Sequence, residues 1–308
     1  MASTRAGVPR VQTPFQMAVL GDSVVWGSGL PEEDKAWTLV RLWLEERLGR
    51  PVQAQVLAHS LAVIEPDPTR DTRPPAWGEI RFRNPSITYE ALADPRLSNP
   101  GPGAIDLVLI DGGINDMNPF NLVLPWRSPQ WVREQAAEVC GRKMKNLLLA
   151  VLDRFQKAQV VVTGYYPIVS NLTPFVQALP LPAVRRRLVD LSETWKQASG
   201  QWLQWAVAQA NLHATAASAP RAFYANPDFK PENCYGAPAT YLRTLREAFV
   251  DRSAVSRRRR CECRRLKPWD LICPIDMAFH PNPKGARAYA EAVITVLNLN
   301  QIVPTPQP

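Results

Sequence analysis

Four short apolar runs alternate with segments of helical periodicity along the chain. The runs cover residues 17–20, 52–57, 105–110 and 160–163. Nearly continuous apolar runs of this length are typical of parallel strands that are buried on both faces. Their alternation with helices predicts an α/β fold, in which a parallel sheet lies between two layers of helices.

The helical segments are recognised by apolar residues that recur every three to four positions. After the first run, Trp37, Val40 and Leu44 follow this spacing, and Gly49 and Pro51 end the helix. Further helices are predicted at about 129–157, 183–211, 240–250 and 283–297. The tryptophans of the 183–211 helix, at 195, 202 and 205, fall at helical spacing, so we expect them in the core.

Two segments lack periodicity and are rich in proline and arginine, namely 64–103 and 214–275. We interpret them as irregular insertions over the sheet, within a single domain that spans 1–308. Such insertions often shape binding sites. Their composition permits an apolar pocket but names no ligand.

Composition and charge exclude some classes of protein. Hydrophobic residues make up 46% and charged residues 21%, as in an ordinary globular protein, and no apolar stretch approaches the length of a membrane span. The first residues contain no apolar run of the kind that secretory signals have, so we expect a cytoplasmic location for the chain as written, or a secreted one if a leader preceded it.

The net charge of +8 favours anionic surfaces or substrates as partners. The densest charge is the run Arg257–Arg260, for which two interpretations stay open: a solvated surface loop, or a site for phosphate or other anionic groups. Nucleic-acid binding is not expected, because only Trp269 lies near this run for base stacking.

The five cysteines include no CxxC pair. Neither a zinc site nor a disulfide framework is therefore specified, and we expect no metal and no cofactor. One bridge among Cys234, Cys261, Cys263 and Cys273 and a set of reduced thiols remain alternatives.

Polar residues with catalytic chemistry follow the predicted strands. Ser23 comes just after the first run, at the edge of a parallel sheet where ligands bind. A serine hydroxyl needs a base to become a strong nucleophile, and the chain has only three histidines. His280, in the loop before the last helix, is the best candidate. Asn115 follows the third run and two glycines, where its amide can point into the same crevice.

Taken singly, each of these residues has a structural interpretation. Ser23 alone would be a helix N-cap with Asp22 beside it, and Asn115 a turn residue. His59 is interpreted as a hydrogen-bonded structural histidine, and His213 as a partner for the C-terminal end of a helix. Asp111 and Asp116, which flank the asparagine, are expected to hold their loop by hydrogen bonds. The agreement of motif with strand position favours catalysis for the three residues together.

Three motifs resemble the conserved blocks of the SGNH (GDSL-type) hydrolase family. They are GDSVVWG, GGIND and FHPNPKG, in the family's order, and the resemblance extends from Gly21 to Ala290. It implies a flavodoxin-like three-layer fold, an acyl-enzyme mechanism on Ser23 with His280 as base, and no metal. The oxyanion hole implied by the resemblance consists of the Ser23 N–H, the N–H of a glycine in the second block, and the Asn115 side chain.

The chain departs from the family pattern at two positions. Leu61 stands where related sequences have glycine; it keeps a backbone N–H for the oxyanion, but would be strained if the position requires a positive φ. The family's aspartate lies three residues before the histidine, where this chain has Met277, and Asp276 stands four before. Asp276 is our candidate to orient His280, with a backbone carbonyl in a Ser–His dyad as the alternative.

The sequence therefore predicts a serine ester hydrolase, of the carboxylesterase or lipase kind, that acts on a small-molecule or lipid-like ester. Two alternatives remain: an acyltransferase or carbohydrate deacetylase with the same nucleophile, and a binding protein that has lost its catalytic activity. The acyl-chain length, the leaving group and the oligomeric state are not specified by any residue pattern.

Overall fold

The computed structural model describes residues 13–65, 86–214, 219–250 and 278–303. In this part of the chain, five parallel strands form one sheet with the order β2-β1-β3-β4-β5. The strands are β1 Phe15–Leu20, β2 Val52–Val56, β3 Leu107–Ile110, β4 Gln159–Thr163 and β5 Ala222–Ala225. This order is the flavodoxin-like order, so the predicted fold class is confirmed.

The four predicted strands are present within two residues of their expected bounds. The fifth strand lies inside 214–275, which the pattern assigned to irregular structure. That assignment is wrong at Ala222–Ala225, because a strand of only four residues is too short to establish a period. The strand pairs in parallel with β4 at the edge of the sheet.

Helices connect the strands. They are α1 Ser23–Trp26, α2 Ala36–Leu48, α3 Ile87–Leu92, α4 Ile114–Met117, α5 Pro129–Ala136, α6 Met144–Arg154, α7 Pro174–Ala178, α8 Pro182–Ala214, α9 Leu245–Val250 and α10 Pro283–Leu299. Short 3-10 helices lie at Glu32–Asp34, Pro95–Ser98, Pro102–Ala104, Pro119–Val123 and Pro231–Asn233. A π-helical segment, Ala137–Lys143, joins α5 to α6.

The helices cover both faces of the sheet. On one face, Ala18, Val108 and Val160 pack against α3, α5, α6 and α8. On the other face, Val19, Leu109 and Val161 pack against α2 and α10. Successive side chains of a strand point to opposite faces, so each buried strand contributes to both cores. The result is the predicted three-layer arrangement.

Some helix predictions need correction. The helix expected at 240–250 begins only at Leu245, because the residues before it pair with the loop of His280. Of the three tryptophans in α8, Trp195 is fully buried and Trp202 packs against the core, but Trp205 is 39% exposed. The helix predicted at 129–157 ends at Arg154.

The segment 64–103, which was expected to be irregular, contains α3 and two 3-10 helices in its described part. The apolar positions of α3 span fewer than two turns, which is too short for a visible helical period. Among the helices of the described residues, none has both the length and the apolar character needed to cross a membrane.

Candidate active site

Ser23 begins the short helix α1, directly after β1 and a two-residue turn. Its neighbour Asp22 is the N-cap, and the Asp22 carboxylate accepts a hydrogen bond of 2.8 Å from the Val24 N–H. The capping role considered for Ser23 therefore belongs to Asp22. The Ser23 hydroxyl remains available for another partner.

A carboxylate from the next strand fixes this turn. Asp111, which follows β3, accepts hydrogen bonds from the N–H groups of Asp22 at 2.7 Å and Val25 at 2.9 Å. Gly21 has φ +132°, and a Cβ there would collide with the Asp111 carboxylate. The glycine of the first motif is thus required for this close approach. The predicted hydrogen-bonding role of Asp111 is confirmed, but the bonds hold the turn of Ser23 and not the asparagine loop.

His280 reaches Ser23 from the opposite end of the chain. Its Nε2 lies 2.7 Å from the Ser23 Oγ, across 257 positions of sequence. This is the distance of a strong hydrogen bond, and it is short enough for proton transfer between the two groups.

The His280 loop is held by antiparallel pairing with residues before α9. The Arg243 N–H donates to the His280 carbonyl at 2.8 Å, and the Phe279 N–H donates to the Arg243 carbonyl at 3.0 Å. The Tyr166 hydroxyl donates to the carbonyl of Phe279 at 3.0 Å. Because the backbone on both sides of the imidazole is bonded, its position is defined by the fold rather than by a free loop.

The turn into α10 requires the glycine of the third motif. Asn282 is the N-cap, and its side-chain oxygen accepts from the N–H groups of Lys284 and Gly285. A Cβ on Gly285 would collide with the carbonyl of Tyr241. The close approach of α10 to this carbonyl fixes the entry angle of the loop that carries His280.

Leu61 lies in the loop after β2 and has φ +62°. The position is therefore left-handed, where glycine is free of strain and leucine is not. The adjacent Ser60 ties this loop to the first motif, since the hydroxyls of Ser60 and Ser28 lie 2.6 Å apart. In the described part of the chain, the N–H groups of Leu61 and Ser23 donate to no other protein group.

Asn115 connects the third strand to the same loop. Its side-chain nitrogen donates to the Ala62 carbonyl at 3.0 Å, which occupies one of its two N–H bonds. Asp116 accepts from the Ile64 N–H at 3.0 Å and from Lys143 at 2.9 Å, so its predicted structural role is confirmed.

A buried tyrosine joins the nucleophile turn to the asparagine loop. The Tyr165 hydroxyl donates to Asp22 Oδ2 at 2.7 Å and accepts from the Ile114 N–H at 3.3 Å. Sequence analysis did not single it out. Its position two residues after β4 was the available signal, because polar groups at the carboxyl ends of parallel strands tend to meet.

Two buried carboxyl groups dominate the electrostatics beneath Ser23. Burial raises the pKa of Asp22, although hydrogen bonds from Val24 and Tyr165 offset part of that rise. Burial and the negative charge of Asp22 together raise the pKa of Asp111 well above its usual value. Two carboxyl groups that are buried close together are not easily ionised at the same time, because their negative charges repel each other. The nearby imidazole of His280 favours the ionised form of Asp22.

The remaining predicted residues fall in different places. Asp276, the arginine run 257–260, and Cys261, Cys263 and Cys273 lie outside the described residues. Cys140 and Cys234 are buried free thiols. His213 is in the last turn of α8, where its interaction with the helix end was predicted. His59 is buried against Glu90, a partner that sequence analysis did not identify.

The fold is shared with two lipases of known structure. One is the lipase Lip_vut3 from a goat rumen metagenome, with 15% identity, a TM-score of 0.50, and coverage of 92% of this chain and 97% of that one. The other is an extracellular lipase from Streptomyces rimosus, with 14% identity, a TM-score of 0.55, and coverage of 92% and 99%. No protein-family model and no curated protein sequence matches the chain.

Both matches extend over nearly the whole of each chain, so they concern the complete fold and not one motif. At these identities they establish the architecture alone. In this chain the architecture is a parallel sheet in the order β2-β1-β3-β4-β5, with Ser23 after β1 and His280 before α10. The chain therefore has the fold of the SGNH hydrolases, the family that its motifs resemble.

Proposed function

We propose that the protein is a serine ester hydrolase in which Ser23 is the nucleophile and His280 is its general base. The observation that carries this proposal is the distance of 2.7 Å between Ser23 Oγ and His280 Nε2. A histidine at this distance can accept the serine proton as the hydroxyl attacks an ester carbonyl. The lipases that share the fold add general support for an ester as the substrate.

The reaction would proceed in two steps. His280 removes the Ser23 proton, Oγ bonds to the carbonyl carbon, and the protonated imidazole delivers the proton to the departing alcohol. Water then attacks the acyl-serine with the same histidine as base, which releases the acid and restores Ser23. The negative oxygen that develops in each step needs hydrogen-bond donors.

We assign three donors to that oxygen: the backbone N–H groups of Ser23 and Leu61, and the Asn115 amide. The two backbone groups have no other acceptor among the described residues. Asn115 is assigned because it follows β3 and its amide is bonded to Ala62, the residue next to Leu61. Asp276 remains our candidate to orient His280 from its Nδ1 side. That assignment rests on sequence position alone.

A panel of p-nitrophenyl esters of graded acyl length tests this function. We expect turnover by the wild-type protein and none above background by Ser23→Ala, with the best chain length defining the acyl preference. Equal turnover by both proteins would refute the proposal. Product analysis with an added acceptor alcohol separates hydrolysis from acyl transfer, because a transferase forms a new ester.

A further inference from the structure

A second histidine–carboxylate pair lies buried behind the turn of Ser23. His59 Nε2 is 2.9 Å from Glu90 Oε1, and both side chains are 3% exposed. Glu90 is on α3 and His59 follows β2, so the pair joins two segments that are separate in sequence. A buried charged pair is costly to desolvate, and it is retained only where its groups are well bonded.

Both nitrogens of the His59 ring lie close to an oxygen atom. Nδ1 lies 3.0 Å from the Ser60 carbonyl, which can only accept, so Nδ1 carries a proton. Nε2 faces the Glu90 carboxylate. Burial alone lowers the pKa of His59, but the hydrogen bond and charge of Glu90 and the Ser60 carbonyl outweigh it, and the pKa is raised.

The two residues are bonded to the backbone of two loops: the turn at Gly21, which leads to Ser23, and the loop that contains Leu61. The second oxygen of Glu90 accepts from the Gly21 N–H at 3.3 Å, and the His59 N–H donates to the Gly21 carbonyl at 3.0 Å. Gly21 is two residues before Ser23. On the other side, the His59 ring fixes the carbonyl of Ser60, and that carbonyl belongs to the peptide unit that contains the Leu61 N–H.

The Leu61 peptide needs such support. Leucine at φ +62° is strained, and a strained backbone persists only where its surroundings determine it. The carbonyl of Ser60 and the N–H of Leu61 lie in one rigid plane and point in opposite directions. Fixing the carbonyl toward His59 therefore directs the N–H away from His59.

We infer that the His59–Glu90 pair is a positioning unit, which holds the peptide of Leu61 so that its N–H is presented to the oxyanion of the ester reaction. Glu90 supports the imidazole, the imidazole holds the Ser60 carbonyl, and the carbonyl orients the Leu61 N–H. The inference rests on the proposed function. It adds two positioning residues that do not themselves touch the substrate.

The test measures kcat and KM for a p-nitrophenyl ester in the wild-type protein, in Glu90→Ala and in Glu90→Gln. Glu90→Ala removes the support, and we expect kcat to fall about 10- to 100-fold with little change in KM, as misplacement of one catalytic group does. Glu90→Gln should retain most of the activity. Its amide nitrogen can donate to Nε2 of a neutral His59, and its amide oxygen can accept from Gly21.

The decisive variant is the double mutant Leu61→Gly/Glu90→Ala. Glycine adopts the left-handed conformation without strain, so the loop no longer depends on the pair. We expect the double mutant to recover most of the kcat lost in Glu90→Ala, with Leu61→Gly alone as the reference for the cycle. Because removal of the strain at residue 61 can also raise the free energy of unfolding, kcat is compared at a temperature where every variant is folded.

Glu138→Ala is the control for loss of a paired glutamate, because Glu138 bonds to Arg142 at the surface, between α5 and α6. Melting temperatures check folding, and His59→Asn, which is too short to reach Glu90, replaces Glu90→Ala if that variant does not fold. The inference would be overturned if Glu90→Ala kept the wild-type kcat or changed only KM. It would also be overturned if the double mutant did not recover the kcat that Glu90→Ala had lost. Absence of turnover in the wild-type protein would instead refute the proposed function.

Discussion

The Ser23 hydroxyl lies 2.7 Å from Nε2 of His280, and both groups are held by backbone hydrogen bonds on either side. Asp22 and Asp111 fix the turn of the serine, and Arg243 fixes the loop of the histidine. The contact is therefore built into the fold before any substrate binds. Preorganisation of this kind is what a nucleophile and its base require.

Asn115 is expected to contribute to catalysis more than to stability. In Asn115→Ala, the loss of one oxyanion donor should lower kcat by about 10²- to 10³-fold, with a smaller change in KM. Steady-state kinetics on a short p-nitrophenyl ester measures both quantities.

Asn121→Ala is the control for that variant. Asn121 has the same 8% exposure as Asn115, and its side chain bonds to the Met117 carbonyl at the end of α4 and to Arg127. We expect its kcat to stay near the wild-type value. A wild-type kcat in Asn115→Ala would remove this residue from the oxyanion site.

Tyr165→Phe tests the bridge between the nucleophile turn and the asparagine loop. The change leaves the Ile114 N–H and one oxygen of Asp22 without their buried partner. Each such loss costs about 1–3 kcal/mol, so the free energy of unfolding should fall by at least that much. Urea denaturation measures it, and Tyr89→Phe, at an exposed tyrosine, should show no comparable loss.

The His59–Glu90 pair gives the stability a pH dependence whose sign follows from the pKa of His59. That pKa is raised above the ordinary 6.5, despite burial and the opposing charge of Arg96, itself paired with Asp94. A raised pKa means that the folded state holds the proton more tightly. The stabilisation that comes from protonated His59 is complete below pH 6.5. It is lost as the pH rises through the pKa that His59 has in the folded protein.

Glu90→Gln removes the charge that holds this proton. The free energy of unfolding of the wild-type protein should therefore exceed that of the variant most at about pH 6 and less at about pH 9. Urea denaturation of both proteins at the two pH values gives the comparison. A difference that is constant or grows with pH would contradict the assigned protonation of the pair.

Much of the fold could be predicted from the sequence because buried parallel strands leave continuous apolar runs. Strands β1, β3 and β4 contain such runs, whereas β2 alternates apolar residues with Gln53 and Gln55. The carboxyl ends of β1 and β3 bring Ser23 and Asn115 to one edge of the sheet. Strand β5 was not predicted, because four residues are too few to show a hydrophobic pattern. The break of the 129–157 helix into α5, a π-helical segment and α6 has no sequence signal of that kind.

The supporting residues of the site were harder to predict than its motifs. Ser23, His280 and Asn115 are recognisable because each follows an element in a characteristic short motif. Glu90 has no such motif, and its contact with His59 depends on where α3 packs relative to the loop after β2. The role of Tyr165 likewise depends on the position of its hydroxyl group beside Asp22, and that position is determined by the packing of the folded chain.

The most direct test of the account is the site of covalent labelling by a fluorophosphonate, read by peptide mass spectrometry. We expect one label per chain on Ser23 in the wild-type protein and in Ser199→Ala, whose buried serine lies in α8, and no label in Ser23→Ala. A wild-type protein that does not react, or a Ser23→Ala variant that is labelled as fast as the wild type, would contradict the assignment of Ser23 as the nucleophile.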